Sequence, residues 1–209
     1  PDCKKVHPDI RFRYKLLWLA QTTDPKVPFF CSDNSEYFMP RISGADAIVE
    51  SLIANEVETV FGLPGGQLDH LFDAVYRVDG KIKLIHTRHA QGAAYMAFGY
   101  AQTTGKVGVY TVVPGPGLLN TTAALCTAWA CNSPVLAISG QVHMAGIDSG
   151  YGHLHEIPDQ LGLIRHLTKW AERINHPSQT PEIMARAFME LGSGRPRPVE
   201  IEMPMDVMA

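Results

Sequence analysis

The hydrophobic positions of this chain repeat with two spacings, one typical of helices and one typical of buried strands. Apolar residues at helical spacing run from Ala45 to Ile53, after Ser43, whose hydroxyl can cap the helix. A second such stripe predicts a helix that begins at Thr180 and ends at Gly192. Strands are predicted at 57–63, 82–87, 107–113, 134–140, 168–174 and 197–204, and further helices at 67–76, 89–104 and from about 118 to 130.

The first 38 residues follow neither spacing. They contain scattered prolines and do not begin with Met, whereas regular patterning starts at Met39 with MPRISGADAIVESL. We therefore expect the folded domain to comprise residues 39–209. Residues 1–38 are expected to be an irregular N-terminal extension, either translated upstream sequence or a genuine N-terminal arm.

Strands and helices alternate along the predicted domain, which favours a three-layer α/β fold with a mainly parallel central sheet and helices on both faces. Several predicted strands are continuous apolar runs, as burial on both faces requires. In such folds ligands bind beyond the carboxyl ends of the strands, an edge that we call the carboxyl rim. The segments GLPGG, TRHAQG, PGPG and SGQV are expected there.

Composition and charge exclude some classes of partner. The 209 residues are 45% hydrophobic and carry a formal net charge of −3, so neither nucleic acid nor an anionic membrane is expected. The apolar run LLWLA near the start is too short to cross a membrane. Cys126 and Cys131 fall in an apolar helical stretch and are expected to be buried free thiols, which fits a cytoplasmic protein.

The glycine-rich turns and the histidines form no standard nucleotide or metal motif. GLPGG is not GxGxxG, and PGPG is not followed by GK[ST], so each alone is an ordinary tight turn. Together they indicate backbone segments that approach one flat ligand closely. His86 and His89 have a spacing that is poor geometry for a metal, and His153 and His155 fall in a glycine-rich stretch that is expected to be a mobile loop, so no metal site is predicted. A plain doubly wound domain that binds another nucleotide is one alternative.

Several stretches, in order along residues 40–209, resemble the N-terminal, pyrimidine-binding domain of thiamine diphosphate enzymes, with acetolactate synthase as the most similar branch. The resemblance implies a flavodoxin-like domain that binds the aminopyrimidine ring of thiamine diphosphate. It also implies a carboligase or decarboxylase that acts on 2-keto acids. The stretches are VFGLPGG, RHAQGAAYMAFGYAQTTGKVGV, PGPGLLNTTAAL, NSPVLAISGQV, HEIPDQ, LTKWAERI and GRPRPVEIEMPMDV.

The resemblance further implies cofactors and partners that this chain does not supply by itself. In the family a second domain, from the partner subunit, holds the diphosphate through magnesium, so a homodimer or tetramer is expected. FAD is a candidate cofactor, because a middle domain holds it in some members. The diphosphate motif, GDG followed by an Asn, is absent from the 209 residues. We therefore expect a fragment or half-site of a longer polypeptide, or one chain of a split decarboxylase.

One position departs from the family pattern where catalysis depends on it. The family has Arg-His-Glu, whose Glu shares a proton with the pyrimidine ring, whereas this chain has Arg88, His89 and Ala90. Loss of a positioned acid-base group costs roughly 10²–10⁴-fold in rate. Three interpretations stay open: a sequencing error or engineered change at one codon, a natural but slow or altered enzyme, and a catalytically silent cofactor-binding module.

The remaining family matches imply roles for individual residues, although each has an ordinary structural alternative. Asn120 can cap a helix, Gln141 can end a strand, and Lys169 can be a solvated charge at a strand end. By resemblance, Pro64 and Gly65 line the cofactor pocket, Pro116, Gly117 and Asn120 pass the pyrimidine ring, Gln141 lies near the reacting substrate, and Lys169 lies beside the substrate channel.

Overall fold

Six parallel strands form the central sheet of residues 42–209, the part of the chain that the structure, a computed structural model, describes. The strand order is β2-β1-β3-β4-β6-β5, so β2 and β5 are the edges and the order reverses between β1 and β3. The expected boundary at Met39 and the extension 1–38 lie outside the described residues. The strands are β1 Thr59–Gly62, β2 Lys83–His86, β3 Gly108–Val112, β4 Val135–Gln141, β5 Trp170–Arg173 and β6 Val199–Pro204.

Helices cover both faces of this sheet, which confirms the predicted three-layer α/β fold. One apolar core lies between the sheet and α1, α2, α7 and α8, and a second lies between the sheet and α3 to α6. Within the described range, no helix is both long and apolar enough to cross a membrane. The helices are α1 Gly44–Ala54, α2 Asp69–Arg77, α3 Ala90–Thr104, α4 Pro116–Leu119, α5 Thr122–Ala130, α6 Gln160–Arg165, α7 Thr180–Gly192 and α8 Met205–Met208.

Local capping chemistry explains where the predicted helices begin and end. The Ser43 hydroxyl accepts a hydrogen bond from the Asp46 amide at 3.0 Å, as expected of an N-cap. Helix α3 ends at Gly105, whose φ of 70° lies in the left-handed region that glycine adopts without steric cost. Such signals depend on residues a few positions apart, so they can be found in the sequence.

Some helix predictions were wrong in detail. The helix predicted at 67–76 begins as a 3-10 turn, Gly66–Leu68, before α2. The helix predicted to end at Ala130 is in fact two, because α4 and α5 are separated at residues 120–121. Helices α6 and α8 were not predicted, since they have six and four residues and are too short to show a period.

The cysteine prediction was half wrong. Cys126 and Cys131 are free, but both are exposed rather than buried. The inward positions of α5 are occupied by Ala124, Leu125 and Ala128. Cys126 therefore lies on the outward side of a helix that is apolar all round, and Cys131 caps its end.

Candidate functional site

The carboxyl rim brings together the loops that follow β1, β2, β3 and β4. Gly62, at the end of β1, lies opposite His86 in β2 and Thr111 in β3. Val112 in β3 lies opposite Ser139 in β4. Because all strands are parallel, their carboxyl ends lie along one edge, and a ligand is expected where the strand order reverses, between β1 and β3.

The loop after β1 is held against the end of β3 at a glycine. A Cβ atom on Gly65 would lie 2.4 Å from Cγ1 of Val113, so no larger residue fits there without movement. The carbonyl of Gly65 accepts a hydrogen bond from the Leu68 amide at 2.8 Å and starts the 3-10 turn. Pro64, just before it, is exposed at the rim. The two predicted pocket-lining residues therefore do lie at this edge.

Ala90 is the first residue of α3 and is only 1% exposed. Its methyl group belongs to the apolar core that also contains Phe61 and Ala94. His89 is the N-cap, and its Nδ1 accepts a hydrogen bond from the Gln91 amide at 3.2 Å. The N-terminus of α3 is thus capped by an imidazole rather than by a carboxylate. Gln91 is exposed, so it does not replace the absent carboxylate.

The turn after β3, residues 114–117, has a backbone that only glycine adopts easily. Gly115 has φ 55° and ψ −117°, and a Cβ atom there would lie 2.3 Å from the His155 carbonyl oxygen. Gly117 is buried, and a Cβ atom on it would lie 2.6 Å from Cγ2 of Val113. Pro116, between the two glycines, is exposed. The turn therefore packs tightly against the protein on one side and presents Pro116 on the other.

Asn120 and Gln141 lie at the same edge as these turns. Asn120 is exposed at the end of α4, and its backbone amide donates to the Pro116 carbonyl at 3.0 Å. Gln141 is the last residue of β4 and is 3% exposed, and its side-chain oxygen accepts from the Val142 amide at 2.8 Å. A buried amide side chain at the end of a central strand is well placed to face a ligand.

Lys169 is not brought to the carboxyl rim. It precedes the first residue of β5 and so lies at the amino end of the sheet. Its ammonium group donates to the carbonyls of Glu190 and Ser193, both at 2.6 Å, at the end of α7. A cation that bonds the last carbonyls of a helix is a helix-capping group. The structure gives Lys169 this role and leaves it apart from the other predicted residues.

A buried polar network at the rim was not predicted from the sequence. Gln160 lies at its centre and bonds to the turn after β3, to β4 and to β6. Glu200 and Glu202 are both fully buried in β6, on the face opposite to Val199 and Ile201. The signal was present in the strand VEIEMP, where two acids alternate within a stretch that is buried on both faces.

The two glutamates of the network differ in their partners. Glu202 is paired with Arg173 and accepts from Gln160 at 2.8 Å. Glu200 accepts from the Ser139 hydroxyl at 2.6 Å, and its other oxygen has no hydrogen-bond partner. Burial, and then repulsion by Glu202, raise the pKa of Glu200 well above its usual range. Glu200 therefore holds its proton more tightly than an exposed glutamate does.

The loop that follows β4 lies against the rim and is organised by one carboxylate. Glu156 accepts hydrogen bonds from the amides of Gly150, Gly152 and His153 at 2.8–2.9 Å. The same loop reaches the turn after β1, because the Gln67 amide group donates to the Leu154 carbonyl at 3.1 Å. These contacts place a structured loop beside the candidate ligand site.

Comparison with known proteins identifies similar chains. The family model described as "Thiamine pyrophosphate enzyme, N-terminal TPP binding domain" matches residues 42–163. A probable 2-ketoarginine decarboxylase from Pseudomonas aeruginosa is 40% identical over 169 residues, which are 80% of this chain and 30% of that protein. An acetolactate synthase from Arthrospira platensis is 42% identical over 169 residues, again 80% of this chain and 29% of the relative.

A third similar protein is also an acetolactate synthase. The acetolactate synthase isozyme 3 large subunit of Escherichia coli is 38% identical over 170 residues, 81% of this chain and 29% of the relative. The chain thus spans less than a third of the length of these curated relatives.

Proposed function

The chain belongs to the thiamine pyrophosphate enzymes and contains their N-terminal cofactor-binding domain, of the acetolactate synthase-like type, and from this premise we propose that it forms the pyrimidine half of an active site for 2-keto acids. The reaction proposed for the whole protein is carboligation or decarboxylation. A 2-ketoarginine decarboxylase and acetolactate synthases are among the similar proteins. This supports the reaction class and leaves the individual substrate open.

The turns after β1 and β3 are the feature that favours binding of the aminopyrimidine ring. They lie on either side of the reversal in strand order. Both turns approach Val113 closely, because Gly65 and Gly117 have no side chain to prevent it. Pro64 and Pro116 are exposed there. We propose that Pro64 and Gly65, with Pro116, Gly117 and Asn120, hold the ring, because proline fixes its own φ and glycine lets the backbone approach a flat ligand closely.

The same site does not fit the proton transfer that the family performs on the ring. The position of the acid holds the buried methyl group of Ala90, and a methyl group neither donates nor accepts a proton. Thiamine diphosphate, when bound, supplies the carbanion-stabilising chemistry of these enzymes. We therefore assign binding and orientation to the residues of this domain, and Gln141 to the neighbourhood of the substrate, and derive no activation step at Ala90.

The other parts of the proposal concern the whole protein. We propose that magnesium is held with the diphosphate by a second domain, as the family resemblance implies, and FAD stays a candidate cofactor of the complete polypeptide. We place the protein in the cytoplasm, because Cys126 and Cys131 are exposed free thiols, which a reducing compartment preserves. Lys169 is left out of the proposed site, since its ammonium group caps α7.

A second subunit is proposed to pack on the outer face of α3 and α5. Neither helix contains a charged side chain, although both lie at the surface. Tyr95 and Met96 of α3 are 39% and 41% exposed. Surface helices of monomers normally carry charged residues on their outer face, so an uncharged pair of helices favours an interface. A homodimer, or a tetramer built from it, is the assembly we propose.

Substitution of Ala90 by glutamate tests the proposed function. In the full-length natural polypeptide, with thiamine diphosphate and magnesium, Ala90→Glu is expected to raise the turnover of a 2-keto acid by roughly 10²-fold or more, because it restores a positioned acid-base group. Pyruvate and 2-ketoarginine are the substrates to compare, and calorimetry measures cofactor binding. Ala185→Glu is the matched control, since Ala185 is exposed on α7, away from the rim.

The outcomes separate the alternatives. A rise in turnover with Ala90→Glu alone means that the carboxylate is a missing part of a working enzyme. Fast turnover in the wild type, unchanged by the substitution, means an altered enzyme that works without it. Cofactor binding with no turnover in either protein favours the catalytically silent module, which the burial of Ala90 in an apolar core also supports. Absence of thiamine diphosphate binding would contradict the proposal.

A further inference from the structure

Gln160 joins four segments at the carboxyl rim through one buried side chain. It is the first residue of α6 and is 1% exposed. Its Oε1 accepts from the Gly115 amide at 2.7 Å, and its Nε2 donates to Oε2 of Glu202 at 2.8 Å and to the Gly140 carbonyl at 3.2 Å. The hydroxyl of Ser139 lies 3.4 Å from the same nitrogen.

The partners of Gln160 leave only one orientation for its amide group. The Gly115 amide can only donate, whereas the Gly140 carbonyl and the Glu202 carboxylate can only accept. The oxygen must therefore face Gly115 and the nitrogen must face Glu202. No other neutral side chain of this length offers an acceptor and a donor in this arrangement, so the position favours Gln as long as Glu202 lies opposite it.

The bond to Gly115 stabilises a backbone that would otherwise be costly. Gly115 is buried, and its φ of 55° with ψ of −117° is a conformation that few residues adopt. A buried amide without a hydrogen-bond partner destabilises the fold, and Gln160 supplies that partner. The conformation of the turn that carries Pro116 and Gly117 thus depends on a side chain 45 positions further along the chain.

The side-chain nitrogen of Gln160 is also held in place, by Glu202. Glu202 has no exposed surface and is paired with Arg173, whose side chain is 18% exposed. A connected path of hydrogen bonds and an ion pair therefore leads from the turn after β3, through α6 and β6, to β5. Gln160 and Glu202, the two central members, are each bonded on two sides, which restricts their motion.

We propose that Gln160 is a positioning residue, which holds the turn at residues 115–117 in the conformation that binds the aminopyrimidine ring. Glu202 and Arg173 act behind it by fixing its amide group. This inference rests on the proposed function, because the turn matters to the cofactor only if thiamine diphosphate binds at the rim. No residue of the path contacts the cofactor in this assignment, so its effect is on binding and on the turn itself.

An exchange of donor and acceptor tests this assignment in the full-length natural polypeptide. Gln160→Glu places a carboxylate against Glu202. The 2.8 Å hydrogen bond from Nε2 of Gln160 to Oε2 of Glu202 is lost, and the two carboxylates repel each other. We expect the Kd of thiamine diphosphate to rise by about tenfold or more. Hydrogen exchange of the Gly115 amide, measured by NMR or mass spectrometry, should become faster in the same variant.

The double variant Gln160→Glu/Glu202→Gln should bring both properties most of the way back to wild type. The carboxylate at 160 still accepts from Gly115, the amide at 202 donates to it, and the carbonyl oxygen at 202 still accepts from Arg173. The bond to the Gly140 carbonyl, 3.2 Å in the wild type, is not restored, so the rescue is partial. The net charge is unchanged between wild type and double variant. Gln179→Glu is the matched control, because Gln179 is exposed and its side-chain oxygen accepts from the amides of Asn175 and His176, as a carboxylate also can. A merely structural need for neutral side chains would not produce this rescue.

The results distinguish this inference from the proposed function. If the wild type binds no thiamine diphosphate, the proposed function fails. If the wild type binds it and Gln160→Glu binds with the same Kd, only the positioning role fails. The role is also overturned if the double variant folds but keeps the weak binding and fast exchange. Should the single variant not fold, near-wild-type binding and exchange in the double variant would still support it.

Discussion

At the residue scale, the buried polar side chains of this domain differ in how much they stabilise the fold, because some have hydrogen-bond partners and others have none. Thr111 and Thr121 are both buried threonines close to β3. The hydroxyl of Thr121 accepts from Tyr110 at 2.9 Å and donates to the Leu118 carbonyl at 2.7 Å. The hydroxyl of Thr111 has no partner and lies at a small apolar cavity lined by Leu71 and Phe72, among others. Burial alone therefore does not show which hydroxyl stabilises the fold.

Thr111→Val is expected to stabilise the protein by about 1 kcal/mol, because it removes an unsatisfied buried hydroxyl and keeps the branched shape. Thr121→Val, the matched control, should destabilise it by about 1–3 kcal/mol, since it leaves the Tyr110 hydroxyl without an acceptor. Urea unfolding of each purified variant measures the free energy of unfolding. Equal losses of stability in the two variants would show that Thr111 has a partner after all.

Most candidate residues lie at the carboxyl rim, whereas Lys169 lies at the amino end of the sheet. Pro64, Gly65 and Asn120 follow strand or helix ends, so a correct order of elements was enough to locate them. Lys169 precedes its strand, and only the strand direction in the sheet shows that it lies at the other edge. Gln160 was missed, because the backbone and side-chain groups that it joins lie 20 to 45 positions away.

At the scale of single elements, the loop of residues 148–159 depends on Glu156. Hydrogen bonds from the amides of His153, Gly150 and Gly152 hold the pKa of Glu156 below its ordinary value. A carboxylate with a lowered pKa in the folded state stabilises the loop fully above the ordinary pKa of Glu. That contribution disappears as the pH falls from about 4.5 through the lower pKa of the folded state.

The loop should therefore be ordered at neutral pH and become open to proteases on acidification below about pH 4.5. Glu156→Gln is expected to expose the loop already at pH 7, because one carbonyl oxygen cannot accept three hydrogen bonds as the carboxylate does. Proteolysis and hydrogen exchange of residues 148–159 at several pH values measure this. Glu50→Gln, an exposed site on α1, is the control. Equal protection in both variants at pH 7 would contradict the role of Glu156.

At the scale of the whole molecule, we propose that subunits meet through the uncharged outer face of α3 and α5. If a second subunit packs on this face, Met96→Lys buries a charge in the interface and should convert the assembly to monomers. Met189→Lys is the matched control, since Met189 is 59% exposed on α7. Light scattering after gel filtration gives the mass of each variant. Identical masses in wild type and both variants would place the subunit contact elsewhere.

The sequence by itself determined the longer elements and the class of fold, because those depend on spacings and caps within about fifteen residues of one another. It also determined the family, because the motifs that carry the resemblance follow one another along the chain. Only the tertiary structure decided which residues work together. The path from Gly115 through Gln160 to Glu202 crosses three elements, and the burial of Ala90 follows from the packing of α3 on the sheet. Contacts between residues far apart in the chain form only when the sheet brings those elements together, so no local pattern contains them.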